Sequence, residues 1–265
     1  YEPNGWGMVL GDNSSNLTIG GNVTLQPSAE SQTSGFVDHY SPGETWNTQT
    51  SGTSKNIMEI TYIDDIFMAV GSGGTILTSS DGNTWTSMGP VSYYGIANTL
   101  NEIIYGNNTF VAVGSNGTIL TSPDGTTWTE QTSGTATNSE GSINRIVYVN
   151  DTFVAVGNTG AIITSTDGET WTSQTSGTSK NLQGITYVDG IFVAVGHGGT
   201  ILTSSNGTTW TSRTSGTTQN LRGVTNGNGL FVAVGNYFGT CGTCYGTILT
   251  SSDGTTWTEG TQPSG

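Results

Sequence analysis

The sequence predicts an all-β fold, a β-propeller of four-stranded blades, and three observations carry that prediction. An apolar element of the form FVAVG recurs five times, at Phe67–Gly71 (as FMAVG), Phe110–Gly114, Phe153–Gly157, Phe192–Gly196 and Phe231–Gly235. Each copy is followed by a Gly-Thr-Ile-Leu-Thr-Ser strand or a close variant, and then by a turn of pattern S-x-D-G-x-T-W. The tryptophans closing these turns, Trp85, Trp128, Trp171, Trp210 and Trp257, follow a weaker copy at Trp46 with spacings of 39, 43, 43, 39 and 47 residues. A repeat of 40–45 residues made of four short β-branched strands is the pattern of a propeller blade.

Within the fourth regular copy the strands are predicted at Asn181–Tyr187, Ile191–Val195, Thr200–Thr203 and Thr209–Arg213. Val, Ile, Thr and Phe favour the pleated half-buried surface, while Gly and Asp-Gly punctuate the joints. Asn206-Gly207 and the Asp-Gly pairs are read as two-residue hairpin turns that need positive φ. No window has a capped 3.6-residue apolar period, so almost no helix is expected. Five units from Asn56 to Thr258 are complete, and Gly35–Trp46 aligns without gaps to Gly74–Trp85. Trp6–Leu10, Leu17–Ile19 and Val23–Gln26 could supply the inner strands of that copy. The expectation is six blades with a degenerate first, the alternative being five blades plus an N-terminal arm. Residues 1–50 are thus a degenerate blade or an inter-subunit arm, and residues 51–265 are five regular blades.

Composition excludes several functions. Five Lys and Arg stand against 19 Asp and Glu, a formal net charge of −14, which argues against a phosphate-binding surface and hence against nucleic acid. The longest apolar runs, such as IFVAV, are far too short to span a bilayer as a helix. Two His and two Cys cannot furnish a Cys/His metal cluster. No cofactor is expected. Thr and Ser together fill 77 positions, so hydroxyls take the place of surface charge.

The turns at Ser79/Asp81/Gly82/Thr84/Trp85, Ser122/Asp124/Gly125/Thr127/Trp128, Ser165/Asp167/Gly168/Thr170/Trp171 and Ser251/Asp253/Gly254/Thr256/Trp257 resemble the Asp-box (BNR) motif. That motif occurs in sialidases, in propellers of the photosystem II assembly-factor type and in secreted bacterial repeat proteins. Here Asp and Gly are adjacent, whereas the commonest form of the motif separates them by one residue. Asn206 and Pro42 replace Asp in two copies. The resemblance implies a propeller fold and leaves function open. A short Asp or Ser side chain can accept N–H bonds inside its own turn, and the Trp can fill space between sheets, so a structural role is expected for these residues. The sialidase arginine triad is not expected, because Arg145 and Arg222 occupy unequal positions on first strands and Arg213 lies on an outer fourth strand.

Aligned innermost strands place Glu59, Glu102 and Arg145 at one repeat position of consecutive blades, followed by Gly184 and Gly223. Two carboxylates near one Arg could perform acid/base chemistry on a glycoside; the plainer expectation is an inter-blade ion pair between Glu102 and Arg145. Two insertions depart from the repeat on one face. Met88–Asn98 carries Tyr93 and Tyr94, and Asn236–Tyr245 carries Tyr237, Phe238 and Tyr245. Aromatics in irregular loops suit a sugar ring or a protein partner. Cys241 and Cys244 are expected to form a local disulfide. His197 is expected to be a solvated turn residue, and His39 has no identifiable partner. Asn13, Asn16 and Asn22 form a cluster of N-glycosylation sequons.

The first residue is Tyr1, which suggests processing such as signal-peptide removal. The whole reads as a secreted or surface-displayed prokaryotic module. Its expected role is non-catalytic structure or interaction, including self-assembly into a filament through the N-terminal segment. A carbohydrate-binding propeller is the alternative, and a glycoside-acting enzyme a weaker one.

Overall fold

Five repeats give five separate sheets of four antiparallel strands. A computed structural model of the protein describes residues 48–63, 65–90, 98–136, 138–236 and 246–260. The chain divides into two units, Tyr1–Thr50 and Ser51–Gly265, and the sheets all lie in the second. Sheet one comprises β1 (Ile57–Ile63), β2 (Ile66–Gly71), β3 (Thr75–Ser79) and β4 (Thr86–Pro90), and sheet two comprises β5 (Leu100–Gly106), β6 (Thr109–Gly114), β7 (Thr118–Ser122) and β8 (Thr129–Thr132). Sheet three holds β9 (Ile143–Val149), β10 (Thr152–Gly157), β11 (Ile162–Ser165) and β12 (Thr172–Gln174). Sheet four holds β13 (Leu182–Val188), β14 (Ile191–Gly196), β15 (Ile201–Ser204) and β16 (Thr211–Arg213). Sheet five holds β17 (Asn220–Gly227), β18 (Leu230–Asn236), β19 (Thr247–Ser251) and β20 (Thr258–Glu259).

Every sheet is an up-and-down meander in sequence order. This is the predicted β-propeller architecture, and helix is confined to three-residue 3-10 turns among the described residues. Five blades are described. Residues 1–47, from which the sequence builds a degenerate first blade or an arm, lie outside the described residues.

The core sits between sheets. Val111, Val113 and Ile119 of sheet two pack against Ile143, Ile146, Phe153, Ala155 and Ile163 of sheet three. The same positions interlock sheets one and two, three and four, and four and five. Side chains alternate along each strand, so each sheet shows one apolar set to its predecessor and another to its successor. The first strands β1, β5, β9, β13 and β17 contact one another in series and are therefore innermost.

Two local features differ from expectation. The tight two-residue turns join first to second strands, at Asn107-Asn108, Asn150-Asp151, Asp189-Gly190 and Asn228-Gly229, where both residues have positive φ. Asn and Asp tolerate that conformation and match the strand twist. In the S-x-D-G-x-T-W turns only the glycine has positive φ, and six residues (80–85 in sheet one) separate the strands. A β-bulge also interrupts each first strand, at Met58, Asn101, Asn144, Gln183 and Arg222. Its counterpart is the glycine ending the second strand. A Cβ on Gly157 would lie 2.2 Å from the Ser142 carbonyl oxygen, so only glycine allows the two backbones to meet there.

Candidate functional site

Strand order sorts the connections onto two faces. The 3-10 turns between second and third strands meet the connectors that lead into the next blade: Gly74 N–H donates to the Asn98 carbonyl at 2.6 Å and Gly199 N–H to that of Gln219 at 2.7 Å. The opposite face carries the two-residue turns and the S-x-D-G-x-T-W turns, where Asn107 Nδ2 donates to the Thr166 carbonyl of the next blade at 3.2 Å.

Each S-x-D-G-x-T-W turn is closed internally. Asp124 Oδ1 accepts the N–H groups of Thr126 and Thr127 at 2.8 and 2.9 Å and the Ser122 hydroxyl at 3.0 Å. Ser122 Oγ in turn accepts Gly125 N–H at 2.8 Å, and Trp128 Nε1 donates to the Gly125 carbonyl at 3.2 Å. Asp81, Asp167 and Asp253 repeat this geometry. So does the neutral Asn206, whose Oδ1 accepts Thr208 and Thr209 N–H at 3.0 and 2.9 Å. The N–H bonds favour the ionised form. Those of Thr84 and Asn83 hold Asp81 down at about 2, and Thr127 and Thr126 hold Asp124 well below the usual carboxylate range. Thr256 and Thr255 do the same for Asp253, and Thr170 first among its partners for Asp167. Trp85, Trp128, Trp171, Trp210 and Trp257 lie with ring centroids 6.2–6.4 Å from the sheet's phenylalanine. Trp128, Trp171, Trp210 and Trp257 pack into the inter-sheet clusters.

The central position is occupied on β1, β5 and β9 by Glu59, Glu102 and Arg145. Glu102 Oε2 accepts the Ile146 N–H of the next sheet, and Oε1 lies 3.9 Å from Arg145 Nε. Arg145 Nη1 also donates to the Asn144 carbonyl at 2.9 Å. Burial pushes the Glu102 carboxyl up to about 8 against the opposing pull of Arg145 and the Ile146 N–H, and the Glu59 charge adds to the rise. The arrangement bridges sheets two and three. A carboxylic acid that stays protonated near neutral pH could also donate a proton.

The structure does not bring the three arginines together. Arg213 Nε donates to Thr203 Oγ1 within sheet four at 2.8 Å, while Arg222 Nε donates to Asn236 Oδ1 at 3.1 Å. His197 is not simply solvated, as its turn position suggests: its Nε2 is buried without a hydrogen-bond partner among the described residues. Burial, then the Arg222 and Lys180 charges, lower its pKa. Beside it, a depression of about 450 Å³ is lined by Gly198, Gly199, Thr200, Arg213, Ser215 and Thr217. No group of three or more His, Cys, Asp or Glu suited to a metal ion occurs among the described residues. Tyr93, Tyr94, Tyr237, Phe238, Tyr245, Cys241, Cys244, Asn13, Asn16, Asn22 and His39 lie outside the described residues.

Sequence reasoning missed the bulge residues. Asn101 Nδ2 donates to the Ile143 carbonyl at 2.8 Å, and Asn144 Nδ2 to the Leu182 carbonyl at 2.7 Å, each reaching into the following sheet. A bulge re-aims its side chain. The amides at one repeat position in adjacent copies were the available signal.

The DUF6242 β-propeller domain matches residues 100–220. No curated protein matches the chain. Among solved structures, YCF48 bound to D1 peptide is 20% identical with a TM-score of 0.57, over 83% of this chain and 85% of that one. Virginiamycin B lyase from Staphylococcus aureus is 13% identical with a TM-score of 0.68, over 82% and 73%. The GH74 enzyme of Niastella koreensis is 21% identical with a TM-score of 0.59, over 77% of this chain and 38% of that one. At these identities the likeness is one of fold.

Proposed function

We propose that this chain is a non-catalytic, extracellular interaction propeller whose ligand is a protein segment. The observation that carries this reading is where the chain departs from its repeat. Both aromatic insertions interrupt connections, after β4 and after β18, whose described ends belong to the face that bears the inter-blade connectors. The connections of sheet four on that face consist of Gly, Thr, Ser, Lys, Asn, Gln and His, with no aromatic ring but the imidazole of His197. Tyr and Phe give large contact area with few rotatable bonds. YCF48, the similar propeller, was solved bound to a peptide. The carboxylates of the S-x-D-G-x-T-W turns are engaged within those turns and Glu102 is engaged between sheets, which favours binding over turnover. No helix among the described residues is long and apolar enough to cross a membrane.

The test is selection from a displayed random-peptide library with the native chain and with a variant whose 237–245 loop is shortened to a single glycine, the length of the corresponding turn of sheet four. Peptides enriched only by the native chain support the reading. Retention on an oligosaccharide array that is lost in Tyr93→Ala or Tyr237→Ala replaces it with glycan binding. Glycoside turnover abolished by Glu102→Gln replaces it with catalysis.

A further inference from the structure

We infer that the connector face of sheets four and five holds an anion-recognition site, built from Lys180, His197 and Arg222, that takes the carboxylates of an acidic peptide segment. It rests on the peptide-binding reading and specifies the chemistry of the segment.

Charge is sorted between the two faces. Every described aspartate lies in a turn between first and second strands or in an S-x-D-G-x-T-W turn, all on one face. Lys55, Lys180, His197 and Arg222 lie at the opposite, connector end of their blades. From residue 175 onward the acids are Asp189 and Asp253, both in turns of the first face, and Glu259 on β20. Among the described residues the one ion pair joins Arg145 to Glu102, so no carboxylate pairs with Lys180 or Arg222 there.

The site arises where the repeat departs from itself. In sheets two and three the bulge and the following 3-10 turn begin with uncharged residues, Asn101 and Ser115, then Asn144 and Asn158. These are satisfied internally: Asn144 Nδ2 donates to Asn158 Oδ1 at 3.0 Å and to the Leu182 carbonyl at 2.7 Å. Where sheets four and five meet, the turn residue is His197 and the bulge residue is Arg222. Arg222 Nε donates to Asn236 Oδ1 at 3.1 Å and Nη1 to Gln183 Oε1 at 3.5 Å, contacts that span both sheets and leave donors of the guanidinium unused. Lys180 is exposed and its stem lies along the same turn, Cε being 3.7 Å from a Cβ built on Gly198. Between them His197 Nε2 is buried without a partner among the described residues. Burial first, then the Arg222 and Lys180 charges, lower the His197 pKa, so both cations act on one imidazole.

Two cations and an imidazole with no counter-charge attract an anion, and a carboxylate matches the guanidinium fork. Asn236, which Arg222 holds, is the residue from which the 237–245 insertion departs. A peptide offers carboxylates to the cations and side chains to the aromatic residues of that insertion. A polysulfated glycan is disfavoured, because so few cations cannot offset its repulsion by a net charge of −14.

The chain contains its own control. Gln49–Asn56 repeats Gln174–Asn181 residue for residue, but there Ser72 stands in place of His197 and Asn101 in place of Arg222. The experiment is calorimetric titration in low salt with end-blocked hexaglutamate and, for comparison, hexaglutamine. Hexaglutamate should bind the native chain and hexaglutamine should not. Arg222→Gln should weaken binding at least about tenfold and Lys180→Gln about threefold, whereas Lys55→Gln should leave it unchanged. If Arg222→Gln does not fold, the exposed Lys180 decides against Lys55. The imidazole resonances, assigned with His39→Gln, should show the His197 pKa raised by bound hexaglutamate, since a carboxylate favours the imidazolium. Absence of binding, an unmoved His197 or equal losses at Lys55 and Lys180 would overturn the inference. So would a heparin hexasaccharide bound in preference to hexaglutamate. Library peptides that are selected through the 237–245 loop but carry no excess of Asp or Glu would overturn it while leaving the peptide-binding reading in place. Hexaglutamate held by Lys180 and Arg222, with no library peptide dependent on the loop, would uphold this site and remove that reading.

Discussion

Sheets three and five carry nearly the same residues on β10 and β18, yet their surroundings differ. Val156 and Ile162 of sheet three are shielded from solvent between neighbours, while Val234 and Ile248 at the same positions of sheet five are substantially exposed. Burial in a repeat fold is therefore conferred by the adjoining repeat more than by the residue itself. A stability effect in one blade cannot be transferred to another without knowing what lies against it.

The largest effect that sharpens this comparison is at Ile162. Ile162→Ala should cost about 2–5 kcal/mol in chemical denaturation, as a buried aliphatic truncated in a close-packed core. Ile248→Ala should cost less than that, because the Ile248 side chain is 49% exposed; a loss equal to that of Ile162→Ala would break the comparison. Next comes Ser122→Ala, expected to cost about 1–3 kcal/mol because the Gly125 N–H is buried and has no other acceptor among the described residues. The same change at Ser251 should cost no more, sheet five being bounded on one side by described residues.

Smaller effects concern charge. Glu102 titrates at about 8 when folded and near 4.5 when unfolded, so the unfolded chain ionises first as pH rises. Native stability should then decline between about pH 4.5 and pH 8, since the protonated form is the one folding favours. Glu102→Gln keeps an acceptor for the Ile146 N–H and should flatten that decline in denaturation curves taken across the window. The turn aspartates have the opposite sign. Their folded pKa values are depressed, so their stabilisation is complete above the unfolded value near 3.8 and lost as pH falls below it. Asp124→Asn is expected to have the smallest effect at neutral pH, because Asn206 already makes the same bonds uncharged. Its distinguishing mark is a shallower acid limb in the same titration.

How far the sequence reveals the molecule follows the range of the forces involved. Strand positions were legible because alternation and Gly punctuation act within a few residues; the predicted Ile191–Val195 strand is β14 to within one residue. The Glu102–Arg145 pair was legible because the repeat itself aligns residues that meet on neighbouring sheets. Turn type was misread, since Asp-Gly satisfies a two-residue hairpin locally while Asp124 Oδ1 instead reaches two N–H groups further on. The Asn101 and Asn144 contacts were illegible because a bulge shifts register only where two backbones meet. The exposure of Ile57 and Ile60 was beyond reach, being a fact about a neighbour.

The bulge amides also give the array a direction. Asn101 and Asn144 each hold a carbonyl of the blade that follows, and Arg222 in the last sheet reaches back to Gln183 of sheet four at 3.5 Å. A copy of sheet two or sheet three duplicated in tandem therefore arrives with its forward hook and its receiving carbonyl already in register. Lengthening by whole copies demands no new contact, whereas inserting or deleting a single residue in any innermost strand would misalign both of its neighbours. Such a chain can evolve by counting repeats far more readily than by adjusting one.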